Sequence, residues 1–179
     1  MANSTEENDY DLLRRSLQGD VASQRRFYER FSRVVYSICM RYMTNADDAQ
    51  DMLQDCMIKV FQRGKEFRFE GSLEGWIRRV SVNTCLDALK KRKLQFTDDL
   101  ETAKYTPSSL QVGDSMEMKD LMKLLMQLPV GYRTVFNLFA IEGFSHAEIA
   151  DLLQISENTS KSQLFKARQW LKSRLEEND

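Results

Sequence analysis

A chain of 179 residues has room for one large domain or two small ones. Its 42% hydrophobic and 30% charged residues are the balance of a folded globular protein, which excludes a disordered polyelectrolyte. A formal charge of −1 excludes binding to nucleic acid by bulk positive charge, and seven glycines and two prolines argue for helices with short connections over a many-stranded sheet.

The first residues, MANSTEENDYDLL, are polar and acidic, so no secretory signal is expected. No apolar run approaches the roughly 20 residues that span a bilayer. Cys39, Cys56 and Cys85 are far apart and odd in number, each within an amphipathic stretch. They read as small buried apolar residues in a reducing, cytoplasmic protein, with no metal or cofactor expected. One histidine, His146, rules out most histidine-based triads and metal sites. No Gly-rich phosphate loop, Gly-x-Ser-x-Gly elbow or His-Glu-x-x-His occurs, so enzymatic catalysis has little to stand on.

From Asp9 to Lys93 the pattern is helical almost throughout. YDLLRRSLQGD sets Leu12, Leu13 and Leu17 on one side and meets a helix stop at Gly19. The next stretch, from Val21, spaces Phe27, Phe31, Val34, Val35, Ile38 and Tyr42 by threes and fours into one apolar stripe. NADDAQDMLQDCMIKVFQRG opens on Asn45, a good N-cap, fills its first turns with acids favoured by the helix dipole, and closes at Gly64. KEFRFEGSLEG interrupts the periodicity with two glycines. A further helix turns Trp76, Ile77, Val80, Leu86 and Leu89 inward and ends in the basic run Lys90, Lys91, Arg92, Lys93.

Between Leu94 and Ser115 the periodicity lapses into a Thr-, Ser- and acid-rich stretch that reads as a flexible linker. Helical pattern resumes at Met116, passes a Pro129-Val-Gly131 turn, and runs to Glu176. The predicted fold is therefore all-α: two small helical domains, 9–93 and 116–176, tethered by 94–115.

The last segment, SHAEIADLLQISENTSKSQLFKAR, has the rhythm of a helix-turn-helix. Ser145 and Glu148 form a capping-box pattern, Gln154-Ile155-Ser156 make the turn, and Ser156 caps a second helix that buries Leu164, Ala167 and Leu171. In such a unit the second helix meets base edges with its first turns and phosphates with its cations. Asn158, Thr159, Ser160 and Gln163 are the expected edge readers; Lys161, Lys166 and Arg168 are the expected phosphate contacts. A helical hairpin with a solvated face is the bland alternative.

This segment, with the preceding LPVGYRTVFNLFAIEG, resembles region 4 of bacterial sigma factors of the extracytoplasmic-function type. DDAQDMLQDCMIKVFQRGKEFRFEGSLEGWIRRVSVNTCLDALKKRK resembles region 2 of the same family, and the two blocks stand in the family's order. The resemblance implies a protein that binds core RNA polymerase and directs promoter-specific initiation, reading a duplex −35 element with the C-terminal domain and melting and holding the −10 strand with the N-terminal one. It implies that Asp47, Asp48, Asp51, Gln54 and Asp55 meet the beta-prime subunit of the polymerase. Arg68, Phe69 and Ser72 fall in the loop where the family captures a flipped base, and Asn83 matches a position near it. Arg78, Arg79, Lys90, Lys91, Arg92 and Lys93 suit the strand backbone, while Trp76 fits either the core or a stacked base. An anti-sigma factor is a further implied partner. Two departures stand out: Gln154 replaces a common turn glycine, where a left-handed backbone carries strain, and Ser160 replaces a β-branched apolar residue. The rival readings are a stand-alone helix-turn-helix regulator on operator DNA and a helical interaction protein that binds no nucleic acid.

Overall fold

The computed structural model describes residues 8–91 and 116–176, and every element among them is helical. Two compact units divide these residues, one built on 8–39 and 49–85, the other on 40–48, 86–91 and 116–176. The predicted linker 94–115, with Arg92 and Lys93, lies outside the described residues. No described helix is long and apolar enough to cross a membrane.

In the first unit, α1 (Asp9–Leu17) starts at Asn8, whose side chain accepts from the Tyr10 amide, and ends two residues before Gly19, at φ 91°. α2 (Val21–Tyr42) buries Phe27, Phe31, Val35 and Ile38, the stripe expected from their spacing. α3 (Ala46–Arg63) is capped by Asn45, whose Oδ1 accepts from the Asp48 amide at 2.7 Å, and buries Ala49, Met52, Leu53, Cys56, Met57 and Val60. Gly64 begins a single tight turn (Gly64–Glu66) and is buried; a Cβ there would stand 2.6 Å from the Leu17 Cδ2, so its lack of a side chain lets α1 close on this turn. α4 (Leu73–Lys91) turns Ile77, Val80, Cys85, Leu86 and Leu89 inward. Each such side chain contributes about 1.5–3 kcal/mol when fully buried.

The second unit carries α5 (Met116–Gln127), α6 (Val130–Phe136), a wide helical turn (Asn137–Ile141), α7 (His146–Leu153) and α8 (Glu157–Glu176). The Pro129-Val-Gly131 turn is shorter than expected: Pro129 is the N-cap, and Gly131 already lies inside α6, where a Cβ would stand 3.4 Å from the Gln163 amide oxygen. Arg133 is fully buried, donates from Nη1 to the Met126 carbonyl at 3.1 Å, and has its pKa pushed down to about 10 by burial. The capping box at Ser145 forms in full: the Glu148 amide donates to Ser145 Oγ, and the Ser145 amide donates to Glu148 Oε2. Ser156 Oγ accepts from the Thr159 amide at 3.0 Å and starts α8.

Gln154, between α7 and α8, is left-handed at φ 57°, ψ 45°, with its Nε2 donating to the Asp151 carbonyl at 2.7 Å. A side chain in this region costs about 1–2 kcal/mol that glycine avoids, against glycine's larger entropy loss. Gln154→Gly is therefore expected to stabilise the second unit by about 0.5 kcal/mol, read as a higher denaturation midpoint; a lower midpoint would show that the Asp151 bond outweighs the strain.

Across the same turn, His146 Nδ1 and Ser160 Oγ are 2.9 Å apart, and the imidazole stacks on Phe139 with centroids 4.6 Å apart. Burial lowers the His146 pKa, with the Lys161 and Arg168 cations adding to the effect and Glu157 opposing it. A proton then binds the unfolded chain more readily than the folded one, so this site's contribution is intact above about 6.5 and declines as pH falls through that value. As the chain has one histidine, a proton NMR titration reads it directly. A midpoint below 6.5 is expected, rising towards 6.5 in urea.

Candidate nucleic-acid interfaces

The loop between the tight turn and α4 is held from three sides. Phe67 is buried, and its ring packs against Tyr10 at 5.9 Å, Phe69 at 5.3 Å and Trp76 at 5.5 Å. Tyr10 also donates from its hydroxyl to the Gly71 carbonyl at 2.7 Å, tying α1 to the loop. Phe69 is 42% exposed and left-handed at φ 56°, with the Arg14 guanidinium 5.6 Å from its ring centre. A large aromatic residue in that backbone region costs of order 1–3 kcal/mol and persists only where its surroundings enforce it. Beside the cluster lies a recess of about 480 Å³ lined by Arg68, Ser72, Trp76 and Arg79, with Phe67, Gly75 and the carboxylates Glu66 and Glu70.

Sequence reasoning had thus named four residues that meet around one recess, and Phe69 beside them. Ser72 Oγ accepts from the Gly75 amide at 3.0 Å, so it caps α4 as well as lining the wall. Trp76 is half-buried, its ring tilted against Phe67 and lining the recess, and so combines features of the two roles expected of it. Asn83, half-buried, stands one turn beyond Arg79 on the same side of α4, outside the lining residues. Lys90 and Lys91 are exposed at the end of α4, about 16 Å from Arg79 at helical rise. The expected basic track is interrupted by the exposed Asp87, and Arg78 is paired with Glu74 at 2.7 Å.

On α3, Asp47, Asp51, Gln54 and Asp55 are exposed on the flank opposite the buried stripe. Gln54 Nε2 donates to the Tyr28 hydroxyl at 2.9 Å. Asp48 has a different place: half-buried, its carboxylate accepts from Thr44 and Asn45 within the helix cap. Ile58, one turn after Gln54, is 53% exposed beside these acids. The sequence reading passed over it, although its spacing of four from Gln54 was the available signal.

In α8, the expected reading face needs correction at two positions. Ser160 and Gln163 were placed at base edges, but both are 0% exposed. Ser160 bonds His146 across the turn and Gln163 packs over Gly131, so they hold the helices together. The exposed stripe is Asn158, Lys161, Phe165 and Arg168. Phe165, 62% exposed, was missed because an apolar side chain in a helix suggests core. Thr159 is half-buried, its hydroxyl 2.9 Å from that of Ser156. Lys166 lies with its ammonium 5.8 Å from the Tyr132 ring centre, and the Arg168 guanidinium is 5.7 Å from that of Phe139. Lys161 pairs with Glu157 at 3.5 Å in solvent.

Two family descriptions match the chain: sigma-70 region 2 over residues 27–95 and sigma-70 region 4 over residues 118–171. The chain is 29% identical over 164 residues to the ECF RNA polymerase sigma factor SigM of Mycobacterium tuberculosis, covering 91% of this chain and 82% of that one. It is 26% identical to the RNA polymerase sigma-H factor of Pseudomonas aeruginosa, covering 92% of each. Among solved structures, the fold is similar to that of the sigma factor RpoE of Bartonella quintana in complex with the anti-sigma factor NepR, at TM-score 0.55 and 22% identity, covering 85% of this chain and 96% of that one. It is also similar to CnrH in complex with the cytosolic domain of CnrY, at TM-score 0.52 and 19% identity, covering 96% and 99%. With both family descriptions matched along it, the chain belongs to the extracytoplasmic-function group of the sigma-70 family, the alternative sigma factors that direct transcription from selected promoters.

Proposed function

We propose that this sigma factor divides promoter recognition between the aromatic recess of its first unit and the exposed stripe of α8, acting by recognition rather than catalysis and working with core RNA polymerase in the cytoplasm. The boundaries we assign are 9–93 for the strand-holding and polymerase-binding domain and 116–176 for the duplex reader. The observation that carries the reading is the recess of about 480 Å³ itself: the Trp76 ring, polar edges at Arg68 and Ser72 and the Arg79 cation line it, and the exposed Phe69 ring stands beside it, packed on Phe67. Melting a duplex costs about 1.4 kcal/mol per stacking step, while stacking a base on an aromatic side chain returns about 1–3 kcal/mol. Captured bases at Trp76 and Phe69 therefore offset several open steps.

The acidic flank Asp47, Asp51, Gln54 and Asp55, with Ile58 at its edge, is the surface assigned to the beta-prime subunit. The apolar group adds area to what charge alone selects. On α8, Asn158 meets a base edge, Phe165 the methyl group of a thymine, and Lys161, Lys166 and Arg168 the phosphates. Asn83, Arg78, Lys90, Lys91, Arg92 and Lys93 belong to the same strand path further from the recess. The relatives of known structure were solved with anti-sigma factors, and a masking partner of that kind suits these two surfaces.

The reading is tested by run-off transcription from a promoter library with sigma-free core polymerase. Promoter-specific initiation is expected; tight operator binding without core, and none with it, would instead identify a stand-alone regulator. Trp76→Ala is expected to lower open-complex formation by about 5- to 150-fold, from a stacking loss of about 1–3 kcal/mol, while core binding holds. Lys161→Ala is expected to flatten the salt dependence of −35 binding by about 0.9 in log–log slope, and Phe165→Ala to weaken binding with the slope unchanged.

A further inference from the structure

Cys39, Cys56 and Cys85 come from three different helices, yet their sulfurs lie within 4.8 Å of one another in the core of the first unit. The Cys39 and Cys56 sulfurs are 3.8 Å apart, and Cys56 Sγ donates to the Ser81 carbonyl at 3.7 Å. All three thiols are free and fully buried. Among the described residues, no histidine or carboxylate joins the cluster.

We propose that these three cysteines form a three-sulfur site for a soft, thiophilic metal or metalloid ion. Bonds of about 2.3 Å from a thiolate to its metal place the sulfurs of a planar three-ligand complex about 4.0 Å apart. The 3.8 Å pair is already at that spacing, and the 4.8 Å limit leaves little closing to do. Hard cations seek oxygen, and structural zinc seeks a fourth donor that this cluster lacks, so the chemistry selects an ion content with three sulfurs.

Charge decides what the reaction releases. Arsenous acid breaks three S–H and three As–O bonds, forms three As–S and three O–H bonds, releases three waters and leaves the core neutral. Copper(I) displaces protons to solvent and leaves an anionic cluster, a costlier state in an apolar core. The ion would join α2, α3 and α4 at one point, beneath the acidic flank of α3.

The test is native mass spectrometry of the full chain equilibrated separately with arsenous acid, copper(I) and zinc(II), for long enough that the bundle opens and admits the ion. One arsenic per chain with three hydrogens lost, or one copper with a net loss of one hydrogen at fixed ion charge, is expected, and the two arms tell which ion the site prefers. Neither ion retained, arsenic bound with an oxygen still attached, or zinc retained in place of both would overturn the proposal. Cys85→Ala is expected to abolish the three-hydrogen species; its persistence would also overturn it. The wild-type hydrogen count keeps the test decisive even where a core substitution impairs folding.

Discussion

Burial of one face of α3 sets what the first unit can present. Ala49, Met52, Leu53, Cys56, Met57 and Val60 occupy the inward positions of the helix, and helical periodicity then forces Asp47, Asp51, Gln54 and Asp55 outward along one flank. The same packing joins α3 to α2 through Phe27 and Phe61, 5.3 Å apart, and to α4 through the Ser81 carbonyl. A rigid α3 therefore links an acidic outer surface to the helix that walls the recess. Neither surface can be retuned by a core change without disturbing the other, because interiors of this kind tolerate little change of volume.

Much of this was legible in the sequence because it is local. The capping box at Ser145, the Asn45 cap and the apolar stripe of α2 follow from spacing and hydrogen-bonding chemistry within one turn. The errors in α8 arose where side-chain identity was weighed above spacing. Ser160, Leu164, Ala167 and Leu171 recur by four, three and four, so Ser160 lay on the buried stripe from the outset. Its polarity suggested DNA, and the partner that satisfies its hydroxyl, His146, sits fourteen residues away on another helix. Phe165 is the converse, an apolar residue off that stripe. The cysteines were read as buried, and they are, but their meeting depends on how three helices pack together. No periodicity within one helix contains that information.

The charge of the chain is likewise a matter of placement. Lys161, Arg78 and Lys172 hold exposed pairs with Glu157, Glu74 and Glu176, one helical turn apart. Such solvent-exposed pairs contribute about 0–1 kcal/mol, so exchanging a glutamate for a phosphate costs little. On the proposed reading, a chain near neutrality keeps its cations paired until a correct sequence positions a phosphate beside them.

The tie between α1 and the loop has a thermodynamic consequence. With Tyr10 bonded to Gly71, Phe67 wedged between rings and Gly64 closed under Leu17, the recess exists before any strand arrives. If the recess takes a promoter base as proposed, the ordering cost of the loop is met during folding, not on binding. In the proposed role, discrimination between bases would then appear as a difference in residence time: a matching base would enter a cavity already shaped for it, and a mismatched one would leave because nothing rearranges to accommodate it.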